Sequence, residues 1–336
     1  VRGTEMDINS LLMYNFVEEI IFADSSLNAR MEAVQDKFQV ESSLINFTYG
    51  TTQNQVEMLN IDELHLANYT GDGVVVAVVD AGFPNVNTMS AFERLRAAGN
   101  LMGGYDFVDR TDAVYTSTSS QHGTQVLSTM AGFVQDQYVG TAPDATYYLF
   151  RTEDVASENP VEESYWLEAV ERADSLGVHV INTSLGYKAY DNSNYSYTSA
   201  QLNGTTTYSS KGANIAFEKG LILINSAGNS GASGIATPAD AAGVLTVAAV
   251  DEDENYVSFS SQGSAFQLTQ KPDVAARGLG SYVINSSNQI SQSNGTSFSS
   301  PILAGAIASL VQALPDATNA EIVAYVRESA SQYSNP

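Results

Sequence analysis

The chain has 336 residues, 14 Lys and Arg against 38 Asp and Glu, a formal charge of −24, three histidines and no cysteine. No disulfide can form and no thiolate can serve as nucleophile or metal ligand. No two histidines stand at zinc-ligand spacing, and a charge of this sign repels nucleic acid and anionic lipid. No apolar run reaches the roughly 18 residues of a membrane span. The first residues carry no basic-then-apolar leader, so a signal peptide is expected only upstream of Val1. Few lysines, many acids and abundant Ser, Thr, Asn and Tyr suit a secreted or cell-surface bacterial protein.

In chain order, Glu5–Tyr14 reads as a helix and Phe16–Phe22 as a strand. Residues 28–48 are polar and read as a linker. From there short, unbroken apolar runs alternate with helical patterns. The runs are Val74–Val79, Thr146–Phe150, Val178–Asn182, Leu221–Asn225 and Val244–Val250. Continuous β-branched runs fit strands covered on both faces, as in a parallel sheet. The helical patterns are His122–Phe133, Val161–Leu176, Gly212–Lys219, Ser297–Leu314 and Asn319–Ser329. Pro301 falls about one turn into the fourth of these, where the early N–H groups have no helical partner to lose. The alternation predicts βαβ units in one three-layer, doubly wound α/β domain with a mostly parallel sheet. Tyr187–Lys211 is polar and Tyr-rich, longer than an ordinary loop, and reads as a surface hairpin or as a wall of a cleft.

Four motifs fall at strand ends or helix starts, where ligands bind in α/β sheets. Asp80 follows the first strand directly, and an Asp there suits a role of holding a histidine by its Nδ1–H. His122 opens a helix, and Gly123 removes bulk beside its imidazole. His179, within an apolar strand, reads as a core histidine. His65, in a polar helical stretch, reads as exposed scaffold. Asn225-Ser226-Ala227-Gly228-Asn229-Ser230-Gly231 leaves a strand through small residues that let a backbone approach, and Asn229 could donate its amide to a developing oxyanion. Asn294-Gly295-Thr296-Ser297-Phe298-Ser299-Ser300-Pro301 opens the long helix. A serine at a helix N-terminus has an exposed Oγ and a free N–H near the positive end of the helix dipole.

The order Asp, His, Asn, Ser at 80, 122, 229 and 297 is one of the known orders of a serine triad with its oxyanion asparagine. The sequence resembles the subtilisin-like serine proteases over about residues 49–330. The resemblance extends to Ile181-Asn182-Thr183-Ser184-Leu185-Gly186, Gly140-Thr141-Ala142-Pro143 and Lys271-Pro272-Asp273-Val274-Ala275-Ala276. It implies a subtilisin-like seven-stranded sheet and peptide-bond hydrolysis, with Ser297 as nucleophile, His122 as general base then acid, Asp80 orienting His122, and Asn229 with the Ser297 N–H as oxyanion hole. It implies that Ser184-Leu185-Gly186 and Ser226-Ala227-Gly228 wall the pocket for the residue before the scissile bond. All four catalytic positions hold the required residue, which favours an active enzyme over a silent binding module. Gln125, where many relatives carry a second histidine, is expected to leave the proton relay alone.

No cofactor is expected in the chemistry. Structural calcium is carried by many relatives on the loop before Gly140, but here that loop has one acid, Asp136, so calcium is left without an assigned site. The first residues, Val1-Arg2-Gly3 with Ile8, Leu11 and Leu12 and then Phe16–Ile20, resemble the end of an inhibitory propeptide. The expected organisation is therefore 1–27 propeptide end (or N-terminal extension), 28–48 linker and 49–336 catalytic domain, with cleavage between about Asn28 and Gln53. The expected partners are protein or peptide substrates and the propeptide. Glu153, Asp154, Glu158, Glu162 and Glu163 are expected on the rim of the cleft, favouring basic substrate residues just upstream of the cut.

Overall fold

The computed structural model describes residues 4–20 and 46–333, which belong to two compact units. In the first unit, helix α1 (Glu5–Asn9) starts at a capping box. The Thr4 side chain accepts from the Asp7 N–H, and Asp7 Oδ2 accepts from the Thr4 N–H. The α-helix is shorter than the expected Glu5–Tyr14 and passes into a 3-10 turn over Ser10–Met13. The expected strand does not form over Phe16–Ile20. A turn closed by Val17 N–H to Tyr14 O stacks Tyr14 on Phe16 instead. A strand needs a partner ladder, and the described residues of this unit supply none. Ile21 and Phe22, the proposed linker as far as Ile45, and the last three residues lie outside the described residues.

The second unit is built on one seven-stranded parallel sheet. Its strands are β1 (Val75–Asp80), β2 (Leu101–Asp106), β5 (Thr146–Arg151), β6 (Val180–Thr183), β7 (Ile222–Ser226), β8 (Val244–Val250) and β9 (Val274–Arg277), in the order β2-β5-β1-β6-β7-β8-β9. Two antiparallel hairpins stand apart, β3 (Phe133–Val134) with β4 (Tyr138–Val139) and β10 (Ser281–Ile284) with β11 (Ile290–Ser293). The helices are α2 (Gln53–Glu57), α3 (Ile61–Leu66), α4 (Glu93–Ala97), α5 (His122–Ala131), α6 (Val161–Ser175), α7 (Tyr208–Glu218), α8 (Thr296–Ala313) and α9 (Asn319–Ser329). Among the described residues no helix is long and apolar enough to cross a membrane.

The three layers follow from the side-chain alternation of the strands. In β1, Val76 and Val78 pack with Val126, Leu127 and Met130 of α5 and with Phe298, Ile302 and Ile307 of α8. Ala77 and Val79 point the other way, to Trp166, Ala169 and Val170 of α6 and Ala213 of α7. Each large apolar side chain removed from water contributes about 1.5–3 kcal/mol, so both faces must be covered, and the unbroken apolar runs already implied that. The expected doubly wound α/β fold is the one observed.

Strand order places the site. β1 lies between β5 and β6, the point where successive crossovers turn from one side of the sheet to the other. The cleft beyond the carboxyl ends of the strands opens at such a point. Asp80 is the last residue of β1, and Ser184 directly follows β6. The Lys271-Pro272-Asp273 motif acts at a distance from this cleft, in the scaffold. Lys271 and Arg327 of α9 both pair with the buried Asp273 carboxylate, at 2.8 and 2.7 Å.

Candidate active site

Asp80 is buried at the end of β1, and its Oδ1 accepts the Ala81 N–H at 2.7 Å. The same carboxylate receives His122 Nδ1–H, at 2.8 Å to Oδ1 and 3.0 Å to Oδ2. That fixes the tautomer, leaving Nε2 as the free base. His122 begins α5, and close packing at its neighbour makes the approach possible. A Cβ on Gly123 would sit 2.4 Å from Gly82 O and 3.0 Å from Asp80 Cβ, so only glycine fits there. Burial by itself would lower the His122 pKa, but the facing Asp80 carboxylate, helped by Glu153, holds it above the ordinary value.

Ser297 lies in the first turn of α8, after Gly295 at φ 145°. Its neighbour Phe298 packs on His122 with ring centroids 5.8 Å apart, so the helix start stands against the imidazole. The Ser297 hydroxyl donates to Ser184 O at 3.3 Å, and among the described residues no hydrogen bond joins it to His122. Catalytic hydrogen bonds are commonly loose without substrate, and a rotation about one χ1 bond redirects the Oγ.

Asn229 is exposed on the loop after β7. Its Oδ1 accepts both the Thr296 N–H (2.9 Å) and the Thr296 hydroxyl (3.1 Å), and the Gly228 N–H donates to that same hydroxyl oxygen at 3.0 Å. With the carbonyl end occupied, the Nδ2–H2 end lies beside Gly295 and makes no hydrogen bond among the described residues. Gly228 itself sits at φ 97°, which suits glycine. The two expected pocket walls are tied together: Asn225 Nδ2 donates to Leu185 O at 2.9 Å. Ser184, Ser226 and Ala227 are buried, Leu185 and Gly228 partly so, and Gly186 is exposed.

A cleft of about 530 Å³ runs from Asp80, His122, Ser184 and Leu185 to an acidic wall of Glu153, Asp154, Glu158, Glu162 and Asp191. Glu163 is not on that wall. It is buried against α7, where it accepts from Ser209 N–H (3.1 Å), Tyr197 OH (2.7 Å) and Tyr190 OH. Asp191, missed in the sequence, comes from the long Tyr-rich segment. Among its described residues that segment forms no hairpin. Its tyrosines anchor it on α6, Tyr187 OH donates to Glu153 Oε1 at 2.7 Å, and the Glu158 N–H donates to Asp191 Oδ2 at 3.1 Å. Burial and neighbouring carboxylates raise Glu153 to about 8 and Glu158 to about 7.

Two histidine expectations are corrected. His65 is buried, not exposed, because Tyr49 OH reaches its Nδ1 at 2.9 Å and its Nε2 meets Thr141 O at 3.2 Å. His179 is exposed, not core, because β6 begins one residue later and its ring turns outward to accept the Val75 N–H at 3.0 Å. Gln125 reaches Ser293 Oγ at 3.3 Å.

The hairpin loop between β3 and β4 does not fit calcium. Asp136, at φ 59°, is its one carboxylate and is already bonded by Gln135 Nε2 at 2.8 Å, whereas calcium takes six to eight oxygens. Among the described residues no three His, Asp or Glu side chains converge as a metal site.

The model of the subtilase family matches residues 71–336. The chain belongs to the subtilase family. It is 30% identical over 268 residues to subtilisin BL of Lederbergia lenta, covering 80% of this chain and 87% of the relative. It is equally similar to an alkaline protease of Alkalihalobacillus alcalophilus, of which it spans 61%. Among solved structures, MycP1 with its N-terminal propeptide removed aligns with a TM-score of 0.62 at 26% identity, covering 80% of this chain and 87% of that one. The S41 psychrophilic protease shares the fold, with a TM-score of 0.64 at 24% identity, covering 85% and 92%. As a subtilase, the protein is a serine endopeptidase.

Proposed function

We propose that this subtilase cleaves proteins and peptides through Ser297, His122 and Asp80, with Asn229 completing the oxyanion hole. The observation that carries the reading is the two-point hold of Asp80 on His122 Nδ1 beside the start of α8. Ser297 Oγ attacks the scissile carbonyl carbon while its proton passes to His122 Nε2. The carbonyl oxygen becomes an anion, met by Asn229 Nδ2 and the Ser297 N–H. These donors matter because they meet a charge that exists only in the transition state. His122 then protonates the leaving nitrogen, the C–N bond breaks, and the acyl group stays on Ser297. Water, activated by the same histidine, releases it. Each step draws only on this chain's own groups and on water.

Substrate is read along Ser184-Leu185-Gly186 and Ser226-Ala227-Gly228, whose small residues leave room for a large apolar side chain before the cut. The acidic wall favours basic residues one to three positions upstream of the cut. Residues 1–27 are the end of an inhibitory propeptide, and the protein is made as a zymogen that works outside a bacterial cell or on its surface. The existence of a propeptide in the similar MycP1 supports this. Hydrolysis of a denatured protein by the matured chain, lost in Ser297→Ala, tests the catalytic reading. Recovery of the active form with Val1 still at its N-terminus would overturn the zymogen reading.

A further inference from the structure

Helix α8 carries Pro301 four residues after Ser297. In an α-helix the N–H of residue i+4 donates to the carbonyl of residue i. Proline has no N–H, so the Ser297 carbonyl cannot receive its ordinary helical bond. A side chain from another element supplies one. The Ser184 hydroxyl donates to Ser297 O at 2.9 Å.

Ser184 is itself held by a buried chain of donors. Asn182 Nδ2 donates to Ser184 Oγ at 3.1 Å, and the Ser300 hydroxyl donates to Asn182 Oδ1 at 2.8 Å. All three residues are buried, with Asn182 and Ser300 fully so. The direction of the chain is forced. A carbonyl only accepts, so the one Ser184 proton goes to Ser297 O, and the Ser184 oxygen must then accept from an amide N–H. A flipped Asn182 would set two acceptors against each other. The Ser184 backbone also touches the same residue, because Ser297 Oγ donates to Ser184 O.

We propose that Ser184, locked by Asn182 and Ser300, is a positioning residue for the nucleophile: its hydroxyl replaces the N–H that Pro301 withholds and ties the first turn of α8 to the end of β6. The seat of Ser297 is thereby set by the wall of the cleft as well as by its own helix. This inference rests on Ser297 being the nucleophile.

A double-mutant cycle in the full chain tests it, using Ser184→Ala and Pro301→Ala and reading kcat, KM, melting temperature and the rate of fluorophosphonate labelling. With Pro301 present, Ser184→Ala lowers kcat and labelling about tenfold, the worth of one hydrogen bond, with KM within about twofold. In the Pro301→Ala background the backbone N–H restored at that position can reach Ser297 O, and the same change costs less than about threefold. Ser300→Ala, which touches no substrate, follows the same pattern and replaces Ser184→Ala in the cycle should that variant fail to fold. Equal losses in both backgrounds, or a lowered melting temperature with unchanged kcat, would overturn the positioning role. Absence of labelling at Ser297 in the unaltered chain would instead overturn the catalytic reading beneath it.

Discussion

Thr296 places both of its donors, N–H at 2.9 Å and hydroxyl at 3.1 Å, on Asn229 Oδ1. The amide of Asn229 is therefore oriented before any charge develops, which is what an oxyanion hole requires. Asn229→Ala should lower kcat by about 10²–10³, the loss known for such an asparagine in a related protease, with little change in KM. Thr296→Ala removes the hydroxyl bond but keeps the N–H one, so the amide is held less firmly and kcat should fall by less than about tenfold. Steady-state kinetics on one peptide substrate checks both. A loss confined to KM would contradict this role for Asn229.

Glu153 shares the cleft with His122 and helps to raise its pKa. His122 must be neutral to accept the Ser297 proton, so activity falls on the acid side as it takes up a proton. Glu153 is itself raised to about 8 and is charged mainly toward the alkaline end of that decline, so Glu153→Gln removes only a partial negative charge from that surrounding. The acid limb of kcat/KM should then move to lower pH, while the rate on the plateau stays within a few-fold. A limb that does not move would show that the Glu153 charge does not reach the imidazole.

The acidic wall should discriminate only when it is charged. Glu153 is raised to about 8 and Glu158 to about 7, so both are largely protonated at pH 6. The ratio of kcat/KM for a peptide with Arg upstream of the cut to one with Leu there should rise from pH 6 to pH 9, and should fall with added salt. A flat ratio near one across that range would refute a basic preference.

His65 is held neutral inside the fold, its pKa lowered to about 4 chiefly by burial. Its folded pKa lies below the unfolded value of about 6.5. The stability it permits is therefore complete above about pH 6.5 and is lost as pH falls toward 4. His65→Gln should flatten the decline of melting temperature over that window. An unchanged slope would mean that the Tyr49 and Thr141 contacts survive protonation.

The interior of the sheet was legible because β1, β5, β6, β7 and β8 are unbroken apolar runs. β2 was not, since Gly103 and Gly104 interrupt it at the sheet edge, where a Cβ on Gly104 would lie 1.6 Å from Leu149 O. β10 and β11 are only four residues each, Ser281-Tyr282-Val283-Ile284 and Ile290-Ser291-Gln292-Ser293, and neither shows a regular alternation. Asp80, His122, Asn229 and Ser297 could be picked out because each stands at an element end within a longer motif. His65 was misjudged because its partners, Tyr49 and Thr141, are distant in sequence, and no local pattern marks a buried histidine. Asp191 carried no signal of its own beyond the unusual length of the segment that holds it. Its place on the cleft depends on three tyrosines and on Glu163, whose burial only the packing of α6 against α7 reveals.

The account depends most on Ser297 being an activated nucleophile. Treatment of the matured chain with a fluorophosphonate, followed by peptide mapping, should place a single label on Ser297. That label should be lost in Ser297→Ala and strongly slowed in His122→Ala. A matured, folded chain that takes up no label, or that takes it up at another serine, would contradict the account.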